Sequence, residues 1–201
     1  MFLFTWIITS LQKAFKQTAK AILLAGYSDS TIYKYFRKRG ATIGEDCVIC
    51  VSSLGTPWLV SLGNHVWISK DVVFHSHDGG TWVLREKYPA IDIRGPIIIE
   101  DNCLIGKGVQ LLPNIRIGRN SIVGAGSVVI SDVPPNSIVM GIPARPAGSL
   151  AKYEERCLAL WNEQIPPGID KSVKNWWAKK PNIKRIRKHL LDLYMKKAKQ
   201  D

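Results

Sequence analysis

Two of the chain's four histidines, His75 and His77, lie two residues apart in the stretch Phe74-His75-Ser76-His77-Asp78-Gly79-Gly80. An imidazole near neutral pH is able to take a proton from a hydroxyl group, so it suits general base catalysis. A carboxylate and a pair of glycines follow His77 directly. The stretch therefore predicts an acid–base site, although two neighbouring histidines also raise the possibility of a metal site.

A repeat with a period of six residues surrounds this stretch. An aliphatic side chain occupies the repeating position seven times in a row between Ile93 and Val129. A period of six fits neither an amphipathic helix nor an alternating strand, but it is typical of a solenoid whose units each form a short strand and a corner. We expect the aliphatic side chains to point inward, with Gly, Asn and Asp at the corners.

The repeat ends in the motifs Val123-Gly-Ala-Gly-Ser-Val-Val129, Asp132-Val-Pro-Pro-Asn136 and Gly141-Ile-Pro-Ala-Arg145. With these motifs, residues 39–147 resemble the hexapeptide-repeat acyltransferases, which are left-handed parallel β-helices. The pattern Phe74-x-x-His-Asp-Gly-Gly80 is most similar to that of sugar and polysaccharide O-acetyltransferases. The resemblance implies triangular coils of three repeat units, a homotrimer with active sites between subunits, and acetyl-CoA as co-substrate.

The same resemblance implies a direct attack of the acceptor hydroxyl, without an acyl-enzyme and without a metal. His77 matches the family's histidine and is the predicted general base. The backbone amide of Lys107 is predicted to stabilise the oxyanion. His75 departs from the family, which has an apolar residue there, and we expect it on the coil exterior. Asp78 either orients His77 or turns the chain, and extended geometry favours the turn.

Stacking predicts where the donor would lie. If the longer gap in the repeat is a pure insertion, the unit beginning at Phe74 lies beneath the unit beginning at Ile105. His77 would then lie at a corner beneath Gly108 and Gly126, along a groove that a pantetheine arm is thin enough to follow.

The resemblance also assigns binding residues to the last coils and to the segment after them. The predicted coenzyme A contacts are Gly106, Gly108, Gly124, Ala125, Gly126, Ser127, Pro143, Ala144 and Arg145. The family often has Thr-Lys before its Asp-x-Pro-Pro motif, but Ile130-Ser131 stand there in this chain. One cation is thereby lost, which leaves Arg145 or Lys107 to meet a phosphate.

Two gaps interrupt the repeat, at residues 55–61 and 80–92. The second gap carries aromatic rings that suit sugars and charged groups that suit anions. Loops on a rigid scaffold often carry binding function, although this loop would alternatively only pack on a neighbouring coil. The predicted acceptor-binding residues are Asp78, Trp82, Arg85 and Tyr88.

The formal net charge of +12 lies in the two flanks of the chain. Residues 1–40 carry seven Lys/Arg and one acid, residues 41–150 carry eight and nine, and residues 151–201 carry thirteen and six. We predict an N-terminal helical segment at 1–40, a β-helix at 41–147 with the loop 80–92, and a basic helical extension at 148–201.

The basic flanks suit anionic partners such as a membrane surface, or they are solvated helix faces. The pattern of the first residues predicts an amphipathic basic helix. This helix would either lie on a membrane surface or pack on protein. From Ile183 a second basic amphipathic helix is predicted, with Ile183, Ile186, Leu190, Leu191 and Tyr194 on one stripe. We predict no nucleic acid partner.

The four cysteines are Cys47, Cys50, Cys103 and Cys157. The first two have CxxC spacing, but no second pair follows at the spacing of a zinc ribbon. We interpret all four as reduced, small core residues of a cytoplasmic protein, with peripheral attachment to the inner face of the membrane as an option.

The predicted function is transfer of acetyl from acetyl-CoA to a sugar hydroxyl of a cell-surface polysaccharide or its precursor. The alternatives are N-acetylation of an amino sugar nucleotide, O-acetylation of a small metabolite, or a structural trimer without activity. A zinc enzyme on this fold would need three converging histidines. The repeat contains only His65, His75 and His77, and the last two share one unit.

Overall fold

The computed structural model describes residues 29–169 and 180–197 of the 201-residue chain. The chain divides into two compact units, Met1–Leu150 and Ala151–Asp201. The amphipathic helix predicted for the first residues lies outside the described residues. The domain boundaries predicted at residues 40 and 147 stay predictions.

The first unit is a stack of very short strands that follow the hexapeptide period. Most strands are two or three residues long because each repeat unit also has to turn a corner. The strands are β1 (Thr42–Ile43), β2 (Val48–Ile49), β3 (Val60–Leu62), β4 (Trp67–Ile68), β5 (Val73–Phe74), β6 (Ile97–Ile99), β7 (Leu104–Ile105), β8 (Gln110–Leu111), β9 (Ile115–Ile117), β10 (Ile122–Val123), β11 (Val128–Val129), β12 (Ser137–Gly141) and β13 (Ala144–Ser149).

These strands form three sheets, which the chain visits in turn. Sheet A contains β1, β3, β6 and β9; sheet B contains β2, β4, β7, β10 and β12; sheet C contains β5, β8 and β11. The pairs within the sheets are parallel, apart from β13, which folds back antiparallel on β12. One visit to each sheet completes one coil, so the first unit is a three-sided parallel β-helix.

The core is a set of columns of inward side chains. The column of sheet B contains Ile68, Ile105 and Val123, none of which is exposed to solvent. Burying each such side chain stabilises the fold by about 1.5–3 kcal/mol. No unit has a partner for its apolar side chains until the next coil covers them, so the stack is the folding unit.

A short helix, α1 (Asp29–Arg37), covers the first coil. Phe36 is fully buried in the core. Tyr33 Oη donates a hydrogen bond to the carbonyl of Cys47, and Arg37 Nη2 donates to the carbonyl of Ile43 at 2.5 Å. These contacts satisfy backbone groups of the first coil that have no coil below them.

The corners of the coils contain residues in the left-handed region of φ. The corner between sheets A and B, here called corner AB, has a polar column at Asp46, His65, Asn102, Asn120 and Asn136. Asp and Asn tolerate this conformation better than other residues with a side chain. Their side chains bond along the column, for example from Asn102 Nδ2 to Asn120 Oδ1 at 2.9 Å.

The corner between sheets B and C, corner BC, has Asp71, Gly108 and Gly126 at the equivalent position, with φ of 62°, 71° and 71°. The third corner, corner CA, joins sheet C to the next strand of sheet A. The longer insertion leaves the coil at this corner.

The insertion is longer than the sequence predicted. Phe74 pairs with Leu111 of the next coil, whereas Ile105 lies above Ile68. The unit predicted to begin at Ile93 forms no coil side, because residues 93–95 fold back antiparallel along the segment after Phe74. Ile93, which fits the period of six, is 46% exposed.

Two backbone hydrogen bonds hold the returning segment. The amide of Asp78 donates to the carbonyl of Ile93 at 2.8 Å, and the amide of Gly95 donates to the carbonyl of Ser76 at 3.1 Å. Leu62 and Ile99 are therefore 37 residues apart in neighbouring coils. Without the insertion, neighbouring coils are 18 residues apart, as Ile99 and Ile117 are.

The cysteine prediction is correct for two residues. Cys47 and Cys103 are buried free thiols in the core, and burial raises the pKa of both. Cys50 is exposed and Cys157 is only partly buried, so they are not core residues. Cys50 is exposed because it follows the inward residue Ile49 and faces out of the coil.

The second unit contains most of α2 (Leu150–Gln164) and all of α3 (Lys180–Lys197). Ile165 and Ile169, in the segment after α2, are buried. His189 Nε2 lies 2.9 Å from the carbonyl oxygen of Glu163. In the described parts of the chain, helices of the length and apolarity needed to cross a bilayer are absent.

Candidate active site

The two histidines of the central stretch face out of the coil at the end of sheet C. Ser76, between them, is completely buried, so alternation puts His75 and His77 on the opposite side. His77 is exposed. His75 is half-buried, and its Nε2 lies 2.6 Å from Gln110 Oε1 on the next coil. Residues 29–169 and 180–197 contain no group of three His, Cys, Asp or Glu that could hold a metal ion.

Asp78 turns the chain into the insertion. Its Oδ1 accepts a hydrogen bond from the amide of Gly80 at 2.8 Å, and its carbonyl accepts one from Thr81 Oγ1 at 2.9 Å. These bonds cap the short 3₁₀ helix Gly79–Leu84. The carboxylate is therefore committed to the turn, which agrees with the role that the sequence favoured.

The insertion exposes aromatic rings with cations beside them. Trp82 is 71% exposed and Tyr88 is 51% exposed. The Arg85 guanidinium lies 5.5 Å from the centre of the Trp82 ring, and Lys87 Nζ lies 5.2 Å from that of Tyr88. Exposed rings of this kind offer flat apolar faces, and the neighbouring cations offer hydrogen-bond donors.

The predicted coenzyme A contacts in the repeat lie together at corner BC. These residues follow β7 in one coil and β10 in the next. The amide of Gly126 donates to the carbonyl of Lys107 at 2.8 Å. The amide of Gly108 donates to the carbonyl of Lys70 at 3.1 Å. The amide of Lys107 itself meets no acceptor among the described residues, so its N–H is available to a ligand.

The glycines of this corner differ in their surroundings. A Cβ on Gly106 would lie 2.6 Å from the backbone nitrogen of Ala125, so close stacking explains that glycine. A Cβ on Gly108 or Gly126 would meet nothing within 4 Å. The left-handed backbone alone does not require glycine at this corner, because Asp71 adopts it in the same column. The two open glycines leave a groove along corner BC.

The hairpin of β12 and β13 follows the last coil. β12 belongs to sheet B, so its end leads to corner BC above the last coil. Gly141 donates its amide to Ser127 Oγ at 3.1 Å. The predicted contacts Pro143, Ala144 and Arg145 follow in the hairpin, and Arg145 is exposed.

A cavity of about 400 Å³ lies at the foot of the same corner. Its lining includes Cys50, Ser52, Ser53 and Asp71. Lys107 Nζ, one coil above, lies 3.6 Å from Asp71 Oδ2. No sequence motif marks the residues that line this cavity.

The structure corrects the predicted position of His77. His77 does not lie beneath Gly108 and Gly126, because Phe74 pairs with Leu111 and not with a residue of the Ile105 unit. His77 and the insertion lie at corner CA, whereas the open glycines and Lys107 lie at corner BC. Sheet C separates the two groups within one chain. The partner of His75, Gln110, was missed for the same reason, since only the true register places it beside His75.

A three-sided parallel coil with short strands and an open glycine corner is the architecture expected of a hexapeptide-repeat transferase. The family model described as bacterial transferase hexapeptide (six repeats) matches residues 96–131. Protein CapG of Staphylococcus aureus is 45% identical over 126 residues, which are 61% of this chain and 73% of that protein. The chain belongs to the bacterial hexapeptide transferase family, and its left-handed parallel β-helix is the predicted fold class.

Other relatives are acetyltransferases. The galactoside O-acetyltransferase of Lactococcus lactis subsp. lactis is 37% identical over 89 residues, 42% of this chain and 40% of that enzyme. The crystal structure of a hexapeptide-repeat-containing acetyltransferase from Vibrio cholerae matches 68% of this chain and 89% of its own, with a TM-score of 0.52 and 24% identity, which supports the fold alone. The predicted enzyme class, an acetyltransferase, is confirmed.

Proposed function

We propose that this protein transfers acetyl from acetyl-CoA to a sugar hydroxyl of a cell-surface polysaccharide or its precursor. The observation that carries the proposal is the open corner BC, where Gly108 and Gly126 leave a groove beside the unpaired amide of Lys107. This groove fits a thin, extended donor. Lys107 along it offers a cation for phosphate, and the exposed Arg145 of the hairpin is the second candidate.

His77 acts as the general base in this proposal. Its imidazole takes the proton of the acceptor hydroxyl while the oxygen bonds to the thioester carbon. The Lys107 amide donates to the oxyanion that forms. When the carbon–sulfur bond breaks, the imidazolium returns the proton to the thiolate, so coenzyme A leaves as a free thiol and the ester remains on the sugar.

One chain does not bring the base and the amide together, because they lie at different corners. We therefore propose a homotrimer with active sites between subunits, in which His77 of one subunit faces corner BC of its neighbour. A cyclic arrangement of three chains gives each corner BC one such partner. This assembly explains why both groups are exposed in a single chain.

The insertion is the proposed acceptor site. Trp82 and Tyr88 provide rings for sugar faces, and Arg85 provides donors for hydroxyl or acidic groups. Asp78 lies beside the base, with one carboxylate oxygen bonded to Gly80. Exposed rings with neighbouring cations favour a carbohydrate over a small metabolite. The galactoside O-acetyltransferase relative supports an O-linked product on a sugar, and we propose that this product forms in the cytoplasm.

Release of coenzyme A from acetyl-CoA tests this proposal directly. The assay uses sugars, nucleotide sugars and purified polysaccharides as acceptors, and mass spectrometry identifies the product. We expect release with at least one sugar hydroxyl acceptor and no release by His77→Ala, which should still bind acetyl-CoA. Acetylation of amines alone would contradict the proposal, and so would wild-type turnover by His77→Ala.

A further inference from the structure

The exposed side of α3 is a feature of the second unit that acetyl transfer does not explain. Ile183, Leu190 and Tyr194 are 50%, 38% and 70% exposed. They are spaced by seven and four residues, so they lie on one stripe of the helix. Leu191 and Met195, both more than half exposed, widen the stripe. These five residues are here called the apolar stripe.

The other side of α3 is in contact with its own unit. Arg185 Nη2 donates to the carbonyl of Pro167 at 2.7 Å, and His189 Nε2 lies 2.9 Å from the carbonyl oxygen of Glu163. Ile186 and Leu193 are half-buried, and their spacing places them on the same side of the helix as His189. Within the described part of the chain, the apolar stripe thus stays exposed after the helix has packed.

The charge of α3 indicates what covers the stripe. The helix contains seven Lys or Arg and one Asp. Lys184 and Arg187 lie on the same side of the helix as the stripe. Arg187 is one turn before Leu191, and Lys184 is two turns before it. Long basic side chains cover apolar surface with their stems while their charged ends reach for water or phosphate. Long basic side chains beside an apolar stripe let a helix lie at a membrane interface, because their charged ends reach the headgroups.

We propose that α3 lies on the surface of an anionic bilayer. The apolar stripe enters the boundary between headgroups and acyl chains, and Lys184 and Arg187 contact lipid phosphates. A second copy of α3 fits less well, because two helices with this charge repel each other and lysine is depleted from the cores of protein interfaces. The inference is independent of the acetyl transfer proposed above.

Cosedimentation of the full chain with vesicles tests this inference. One set contains phosphatidylcholine and phosphatidylglycerol in equal parts, and the other contains phosphatidylcholine alone. We expect binding to the anionic set that weakens with added salt. Leu190→Ser/Tyr194→Ser should weaken it about tenfold. Lys184→Gln/Arg187→Gln should weaken it about twenty-five-fold, at about fivefold for each cation.

Two variants of α2 serve as matched controls. Leu158→Ser/Leu160→Ser removes two exposed apolar side chains from the same unit, at positions that are 47% and 39% exposed. Lys152→Gln/Arg156→Gln removes the same charge from the same unit. Both controls should bind vesicles like the wild-type chain. Coenzyme A release with a soluble acceptor should be unchanged in all four variants, which separates this test from that of the proposed function.

Several outcomes would overturn the inference. They are equal binding to neutral vesicles, no binding by the wild-type chain, and equal binding by the α3 variants and their controls. A change of oligomeric mass in Leu190→Ser/Tyr194→Ser would also overturn it, because a second copy would then cover the stripe.

Discussion

His77 and Lys107 lie at different corners of neighbouring triangular coils, with sheet C between them. In the proposed mechanism the base takes the proton of the attacking hydroxyl and the amide donates to the oxyanion on the same reacting carbon, so both have to lie close to that carbon. A single chain with this geometry would not form that site. The relationship leads to a prediction that mixing experiments are able to test.

Subunits that carry His77→Ala should complement subunits that carry a blocked corner BC. Neither variant should be active alone. If His77 of one subunit serves corner BC of the next, random trimers in an equal mixture contain one intact site in about four. Unfolding together and refolding should therefore restore about a quarter of wild-type coenzyme A release. A mixture as inactive as its components would show that each site lies within one chain.

The blocking variant follows from the surroundings of the corner BC glycines. Gly126→Asn should keep the fold, because Asn102, Asn120 and Asn136 adopt the same left-handed backbone at corner AB. Its side chain would enter the open groove, so we expect acetyl-CoA affinity to fall at least tenfold by calorimetry. The apparent melting temperature should change little.

Gly106→Ala is the matched comparison at the same corner. Its Cβ would overlap backbone atoms of Val123 and Ala125 at less than 3 Å, and those atoms belong to the next coil. We expect a loss of about 1–3 kcal/mol in the free energy of unfolding. Equal stability of the two variants would contradict this account of the corner, and so would unchanged affinity in Gly126→Asn.

The sequence predicted the architecture well because every sixth side chain has to point into the core of the coil. Ile99, Ile105, Leu111 and Ile117 each have to be apolar, and the short strand between corners allows no other spacing. The register across the insertion was predicted wrongly because Ile93 has the right spacing by coincidence. Only the antiparallel contact of residues 93–95 with the segment after Phe74 shows that this isoleucine is outside the coil.

The sequence identified the candidate site residues, but it placed His77 at the wrong corner of the coil. Glycine motifs identified corner BC because an open groove requires a missing side chain, and that requirement is visible in sequence. The placement of His77 depended on counting units through the insertion, so one extra unit moved it by a whole corner. The cavity beside Ser52 and Ser53 had no sequence signal, because serine is equally common in turns that bind nothing.

His75 is expected to be a structural residue. Its Nε2 contacts Gln110 Oε1 at 2.6 Å, a single hydrogen bond across neighbouring coils of sheet C. His75→Ala should cost about 0.5–1.5 kcal/mol of stability and leave kcat within a few-fold of wild type. Gln110→Ala should have the same effect, and the double variant should be no worse than the sum of the two. A loss of activity comparable to that of His77→Ala would assign His75 to the chemistry.

The cysteines should differ in reactivity towards a disulfide reagent. Burial raises the pKa of the Cys47 and Cys103 thiols, so they stay protonated and inaccessible near neutral pH. Cys50 is exposed at the foot of corner BC and should react at once. In a Cys157→Ser background, which removes the partly buried thiol, Cys50→Ser should remove the fast phase of the folded chain. Cys103→Ser should change only the reaction seen after denaturation. A fast phase that survives in Cys50→Ser would contradict the exposure found here.

Acid stability should depend on Glu100. Arg116 Nη1 bonds to its Oε1 at 2.7 Å and the Arg119 amide to its Oε2 at 2.9 Å, and these bonds hold the pKa of the carboxyl below its ordinary value. A lowered pKa in the folded chain means that the contribution is complete above the ordinary glutamate range and is lost as pH falls through the folded value. Urea unfolding should therefore show Glu100→Gln less stable than wild type at neutral pH. The difference should shrink as the pH falls below the ordinary glutamate range, and a constant difference would contradict the assignment. Glu45→Gln is the matched control. Among the described residues, the Glu45 carboxyl bonds only to Arg37, and both side chains are exposed. Glu45→Gln should therefore lower the free energy of unfolding less than Glu100→Gln at every pH.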